Sequence, residues 1–189
     1  MQCLTDIEFS RWLSNFGVKL IKDDNLKFCG QADRRFRLLA YVPKDAEKLY
    51  LFASWLARWL PKGHDRVLWL KHWMTYPPDH TILFERLRRG CGESRPLGES
   101  PGHLFGPPSL SSFEERTLFE IEEDVVLAAM ILFVIHFDWD VYILADNCDD
   151  YVYLSDGYVS FSSPDQSKIS ELSSQLNNFE CTISWVKPE

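Results

Sequence analysis

Thirteen consecutive residues, Val125 to Phe137, contain no Asp, Glu, Lys or Arg, and Asp124 and Asp138 bound them on either side. A membrane span needs about 20 apolar residues, so this run reads as a helix buried in a protein core. It organises residues 112–163. The helix is expected to open at Ser112-Phe113-Glu114-Glu115, and the chain to turn at Phe137-Asp138-Trp139-Asp140. Three short strand-like runs follow: Val141-Tyr142-Ile143-Leu144, then two flanking Ser155-Asp156-Gly157-Tyr158. A buried helix feeding a meander of strands is the expected frame.

At 189 residues the chain is long enough for one globular domain with a sizeable core. The N-terminal Met1-Gln2-Cys3-Leu4-Thr5-Asp6 lacks the basic and apolar regions of a secretory signal. The five cysteines, Cys3, Cys29, Cys91, Cys148 and Cys181, are scattered and form no C-x-x-C pair. That pattern argues against a disulfide framework and a zinc site, and makes a cytoplasmic location the expectation.

Thr5-Asp6-Ile7-Glu8 has the form of a capping box. Phe9, Trp12, Leu13 and Phe16 follow at helical spacing up to Gly17. A hairpin is expected over residues 18–29 around Asp23-Asp24-Asn25, then a buried strand over 36–42. Pro43 and Pro61 are expected to bracket a helix with Leu49, Phe52, Ala53, Leu56 and Trp59 on one face. A strand at 67–70 would complete a βαβ unit, with parallel strands, before a helix near 79–89. Residues 90–111 are rich in Gly, Pro and Ser and without periodicity, which predicts a long loop strapped to the body by Leu97, Leu104 and Phe105. Ser163-Pro164 is expected to cap a helix with Ile169, Leu172 and Leu176 inward, ahead of a weak strand at 181–186. The expected fold class is therefore α/β or α+β: one domain over 1–189 with a mixed sheet, a βαβ unit, a long buried helix and a C-terminal meander.

Charge divides the chain. Residues 1–112 hold 17 Lys and Arg against 12 Asp and Glu, a net +5, whereas residues 113–189 hold 3 against 16, a net −13. Such a division bears on partners and encounter rates. The acidic half would repel nucleic acid and anionic membrane and attract a basic protein.

Candidate chemistry is sparse. His64, His72, His80, His103 and His136 form no H-E-x-x-H or Cys/His pattern, and His136 reads as a core residue. Asp138, Asp140, Asp146, Asp149 and Asp150 lack the Gly and Glu of a calcium loop and the basic groove of a metal nuclease. No nucleophile elbow, phosphate loop or dinucleotide fingerprint occurs. Neither cofactor nor metal is expected. Cys91, after Arg86, Arg88 and Arg89, could be an activated thiol or simply follow a basic helix end.

The hairpin is more informative. With Asp156-Gly157 as its turn, Val152, Leu154, Val159 and Phe161 share a core face, and Tyr151, Tyr153, Ser155, Tyr158 and Ser160 share the other. On the preceding strand Asp140, Tyr142 and Leu144 alternate with Val141 and Ile143. Tyrosines rimmed by aspartates have the chemistry of a recognition surface; equally, strand propensity alone could put them there beneath a second covering helix. The candidate contact residues are Asp138, Asp140, Tyr142, Asp146, Asp149, Asp150, Tyr151, Tyr153, Asp156 and Tyr158. Reversing Asp149 and Asp150 to Lys is expected to slow association with little effect on stability.

In size, charge and texture, in Phe137-Asp138-Trp139-Asp140-Val141-Tyr142 and in Ser155-Asp156-Gly157-Tyr158-Val159, the chain resembles the small acidic immunity proteins of bacterial toxin systems. Glu93-Ser94-Arg95-Pro96-Leu97 and Pro101-Gly102-His103-Leu104-Phe105 look like family signatures without an assigned role. The resemblance implies stoichiometric inhibition of a cognate toxin, plausibly a nuclease, in the cytoplasm. Two alternatives stand beside it. One is a small enzyme holding an anionic substrate between Arg86, Arg88, Arg89, Arg95 and His103; the other is a homodimer joined through its tyrosine face.

Overall fold

A computed structural model describes residues 1–15, 17–21, 25–28, 35–59, 65–72, 78–93, 95–97, 99, 102–105, 123–146 and 149–185. The elements in chain order are β1 (Gln2–Leu4), α1 (Asp6–Asn15), β2 (Val18–Ile21), β3 (Asn25–Phe28), β4 (Phe36–Tyr41), α2 (Ala46–Trp59), β5 (Arg66–His72) and α3 (Pro78–Gly90). They continue with β6 (Gly102–Phe105), α4 (Glu123–His136), β7 (Asp140–Ala145), β8 (Tyr151–Ser155), β9 (Tyr158–Ser163), α5 (Gln166–Asn177) and β10 (Thr182–Trp185). Eight strands form one sheet in the order β1-β6-β5-β7-β8-β9-β4-β10, and β2 and β3 form a separate ribbon.

Local chemistry accounts for the helix ends. The Thr5 amide donates to Glu8 Oε2 at 2.7 Å and the Glu8 amide to Thr5 Oγ1 at 3.2 Å, the reciprocal pair of a capping box. Helix α2 starts later than Pro43 suggests, because Asp45 caps it: its carboxylate accepts from the Lys48 amide at 3.0 Å. Asp165, rather than Ser163, caps α5 through the Ser167 amide at 2.8 Å. The expected helix start at Ser112 and the Pro61 stop lie outside the described residues.

Helix α4 is the expected core element: Leu127, Met130, Ile131 and Val134 are fully buried. It packs with α2, α3 and α5 on one face of the sheet, against Leu38, Leu68, Leu70, Ile143, Val152, Leu154 and Phe161. Its first turn carries a buried ion pair. Asp124 meets Arg66 of β5 at 2.8 Å, and Arg66 also donates to the Ala57 carbonyl of α2 at 2.6 Å. One guanidinium thereby fixes the sheet and two helices together.

The sheet is α+β in class, and its pairing refines the expectation. Every neighbouring pair is antiparallel. Strands β4 and β5, joined through α2, do run the same way, but β9, β8 and β7 lie between them. The expected βαβ crossover therefore spans three strands instead of making a parallel pair.

Residues 90–111 hold a strand where a loop was expected. Strand β6 fills the gap between β1 and β5. Added to Gly102, a Cβ would stand 3.1 Å from the Leu4 side chain, so any larger residue there requires Leu4 to shift. Leu97 and Phe105 are buried, which ties the segment down as expected.

Candidate functional site

The hairpin register is the one derived from its turn: Ser155 faces Tyr158, Leu154 faces Val159, Tyr153 faces Ser160 and Val152 faces Phe161. Asp156 and Gly157 have φ of 47° and 72°, as a type I′ turn requires. Cross-strand partners share a face, so one outer row crosses the sheet through all eight strands: Leu4, Gly102, Trp69, Tyr142, Tyr153, Ser160, Leu39 and Ser184. A second row runs Ser155, Tyr158, Tyr41 and Thr182, with Asp140 joined to Ser155 by a hydrogen bond.

Helix α1 covers one half of this outer face. Phe9 stacks on Trp69 with ring centroids 4.9 Å apart, and Leu4, Leu13, Val18, Tyr142, Leu144 and Tyr151 complete a second, smaller core. Tyr142 and Tyr151 are thus buried, which corrects their assignment as contact residues. The reading of a covering helix holds for them, because the basic half supplies α1. Tyr151 is also engaged from the side by Arg35, 5.0 Å above its ring, and by Arg37, whose guanidinium reaches its hydroxyl at 3.3 Å.

The other half stays open among the described residues. Tyr153 and Tyr158 are half-buried, and Tyr41, not singled out in the sequence, is 51% exposed. Tyr153 lies 4.8 Å from Tyr142 ring to ring and 5.9 Å from Lys71 Nζ. Burial foremost, with Asp140 nearby, raises its phenol well above the usual range, so it remains a neutral hydrogen-bonding group. Beside this face two adjoining clefts of about 490 and 470 Å³ share Tyr41, Val42, Lys44 and Thr182.

The aspartates do not pool as one patch. Asp138, Asp140 and Asp156 gather at the start of β7, while Asp146, Asp149 and Asp150 follow its end. Five strand steps separate the two groups by about 17 Å, roughly two screening lengths at physiological salt. Asp150 is buried and meets Lys168 at 2.7 Å; the Asp149 carbonyl accepts from Arg35. Reversing Asp150 would oppose two cations in a buried place, which corrects the expectation that stability would be little affected. Asp140 accepts from the Ser155 hydroxyl, and exposed Asp138 and Asp156 form the rim.

Asp138 and Glu180 adopt φ of 53° and 58° in the left-handed positions that end α4 and α5. Trp139 and Cys181 close these motifs by donating to the carbonyls of Val134 at 3.0 Å and Leu176 at 3.3 Å. Both acids border the Tyr41 clefts.

The arginine cluster converges only in part: Arg88 and Arg95 both reach Cys3, which faces His103 across β1 and β6. Arg88 is fully buried against Glu85 at 3.0 Å. Arg95 binds Glu8 at 3.1 Å and the Cys3 carbonyl, and His103 is buried edge-on to Phe84 at 5.6 Å. Arg86 and Arg89 are exposed. Burial pushes the Cys91 thiol up rather than down, against activation by its arginines. His136 is exposed, beside Phe137, and so is not the core residue expected. Among the described residues no three His, Cys, Asp or Glu side chains come together as a metal site would require, and no helix is long and apolar enough to cross a membrane. No protein-family model matches the chain, and no curated protein or solved structure matches it at the significance required.

Proposed function

We propose that this chain is a binding protein that neutralises a basic protein partner on the open half of its outer sheet face. The observation that carries the reading is Tyr158 and Tyr41 in one row and Tyr153 in the next, beside Asp140 and open among the described residues where α1 ends. Rigid aromatic rings supply anchoring area at low entropic cost. Asp138 and Asp156 at the rim supply steering, which raises association rates by roughly 10–10³-fold at low salt. The net charge of −8 supports a basic partner and disfavours nucleic acid. The resemblance noted above makes a cytoplasmic immunity protein for a nuclease-type toxin the most specific form of this reading. It is a function of stoichiometric binding and calls for no catalytic group.

Capture of partners from the native host on the tagged chain tests the proposal. A basic partner whose binding is lost with Tyr41→Ala and Tyr153→Ala supports it. An acidic partner, or binding indifferent to both changes, sinks it.

A further inference from the structure

On the side of the sheet away from the tyrosine face, α2 and α5 part to leave a cleft of about 480 Å³, within the range of small-ligand sites. Trp55 and Trp59, one turn apart on α2, form its aromatic wall. Their positions are fixed from behind: Trp59 meets Phe161 edge-on at 5.0 Å, and Trp55 meets Phe179 at 5.3 Å and Phe161 at 5.9 Å. Both indoles are half-buried, so each keeps part of its surface toward the cleft. Burying only part of so large an apolar ring forgoes hydrophobic stabilisation and leaves ring surface on which a ligand can pack.

The polar rim selects the ligand class. Arg58, Lys168, Asp150 and Glu171 sum to zero charge, and Gln175 adds an amide. Lys168 is matched to Asp150 at 2.7 Å, and Gln175 donates to Glu171 at 3.0 Å. A phosphorylated ligand calls for surplus cations and a lysine-rich segment for surplus carboxylates; among the described lining residues neither surplus exists. A wholly apolar ligand would strip water from four charges without replacing it. A neutral sugar meets every demand: its hydroxyls donate and accept, vicinal pairs match the planar guanidinium, carboxylate and amide, and its C–H face packs on indole. We propose that the α2–α5 cleft is a binding site for a neutral saccharide, independent of the partner surface.

Titration of the full-length chain with maltose, cellobiose and N,N′-diacetylchitobiose, read by saturation-transfer NMR and tryptophan fluorescence, tests this. At least one should saturate in the millimolar range. Its affinity should fall about tenfold in Glu171→Gln and in Trp59→Phe, a change that keeps an aromatic contact on Phe161. Unchanged melting temperatures in both variants would separate lost binding from lost folding. The proposal is overturned if none of the three sugars saturates, if binding persists undiminished in both variants, or if inorganic phosphate or a lysine-rich peptide occupies the cleft where the sugars do not.

Discussion

Tyr142 and Tyr153 face each other across β7 and β8 with ring centroids 4.8 Å apart, and the limit of the α1 cover falls between them. Tyr142 stacks on Trp69 at 6.1 Å, which in turn lies under Phe9. Tyr153 continues that column toward solvent. An aromatic stack that begins in a core and ends at the surface holds its last ring in place before any partner arrives, which lowers the entropy lost on binding.

Ile131→Ala should destabilise the fold by about 2–5 kcal/mol, because Ile131 is fully buried in α4 at the centre of the larger core. Urea denaturation measures it. A loss below 0.5 kcal/mol, the ordinary range for a surface position, would remove α4 from its organising place.

This frame was largely legible in the sequence, and the reasons are physical. A run of thirteen residues without Asp, Glu, Lys or Arg is too short to span a membrane and points to a core element, and Asp-Gly between alternating residues favours both turn type and register. What could not be read were long-range contacts. The strand at β6 is four residues without alternation, held by the pairing of Gly102 with Leu4 and Trp69. The cover over Tyr142 and Tyr151 comes from Phe9 and Leu13, more than a hundred residues away. The Arg66–Asp124 pair had as its only sign an acid just ahead of an apolar run. Which sheet end each acidic turn occupies was equally illegible, because sequence proximity says nothing of it.

Glu180→Gly should raise the melting temperature. The substitution relieves a left-handed backbone at φ 58°, a gain of roughly 1 kcal/mol. It also removes an anion from the negative end of α5. The ion pair it gives up with Lys48 is largely exposed on the Glu180 side and contributes little. A fall in melting temperature would contradict the assignment of that position as strained.

Acid should weaken the fold through Glu93. Burial opposes ionisation there, but the Arg95 amide, the Cys3 thiol and the Arg95 guanidinium outweigh it and hold the carboxyl down at about 2, from an ordinary value of 4.5. A carboxyl depressed on folding gives stability that is complete above its unfolded value and is lost as pH falls through its folded one. Stability should therefore decline between about pH 4.5 and 2. Glu93→Gln should flatten that limb, and denaturant titrations across this window check it; an unchanged limb would contradict the network.

Burial raises the Cys3 thiol to about 12 and the Cys181 thiol to about 11. Both should resist alkylation at pH 8 in the folded chain and react once it is unfolded. Peptide mapping after iodoacetamide distinguishes them. Ready labelling of Cys3 under native conditions would contradict its place in the Arg88–Glu93 network.

In the proposed function, charge at the rim steers a basic partner onto open tyrosines. The most direct measurement is the association and dissociation kinetics of the captured partner at low and at physiological salt, for wild type, Asp138→Asn with Asp156→Asn, and Tyr153→Ala. The paired aspartate change should slow association several-fold at low salt and flatten its salt dependence, leaving dissociation nearly unchanged. Tyr153→Ala should instead speed dissociation by about tenfold or more. Association unaffected by either the charge change or salt, together with dissociation unaffected by Tyr153→Ala, would contradict the proposed function.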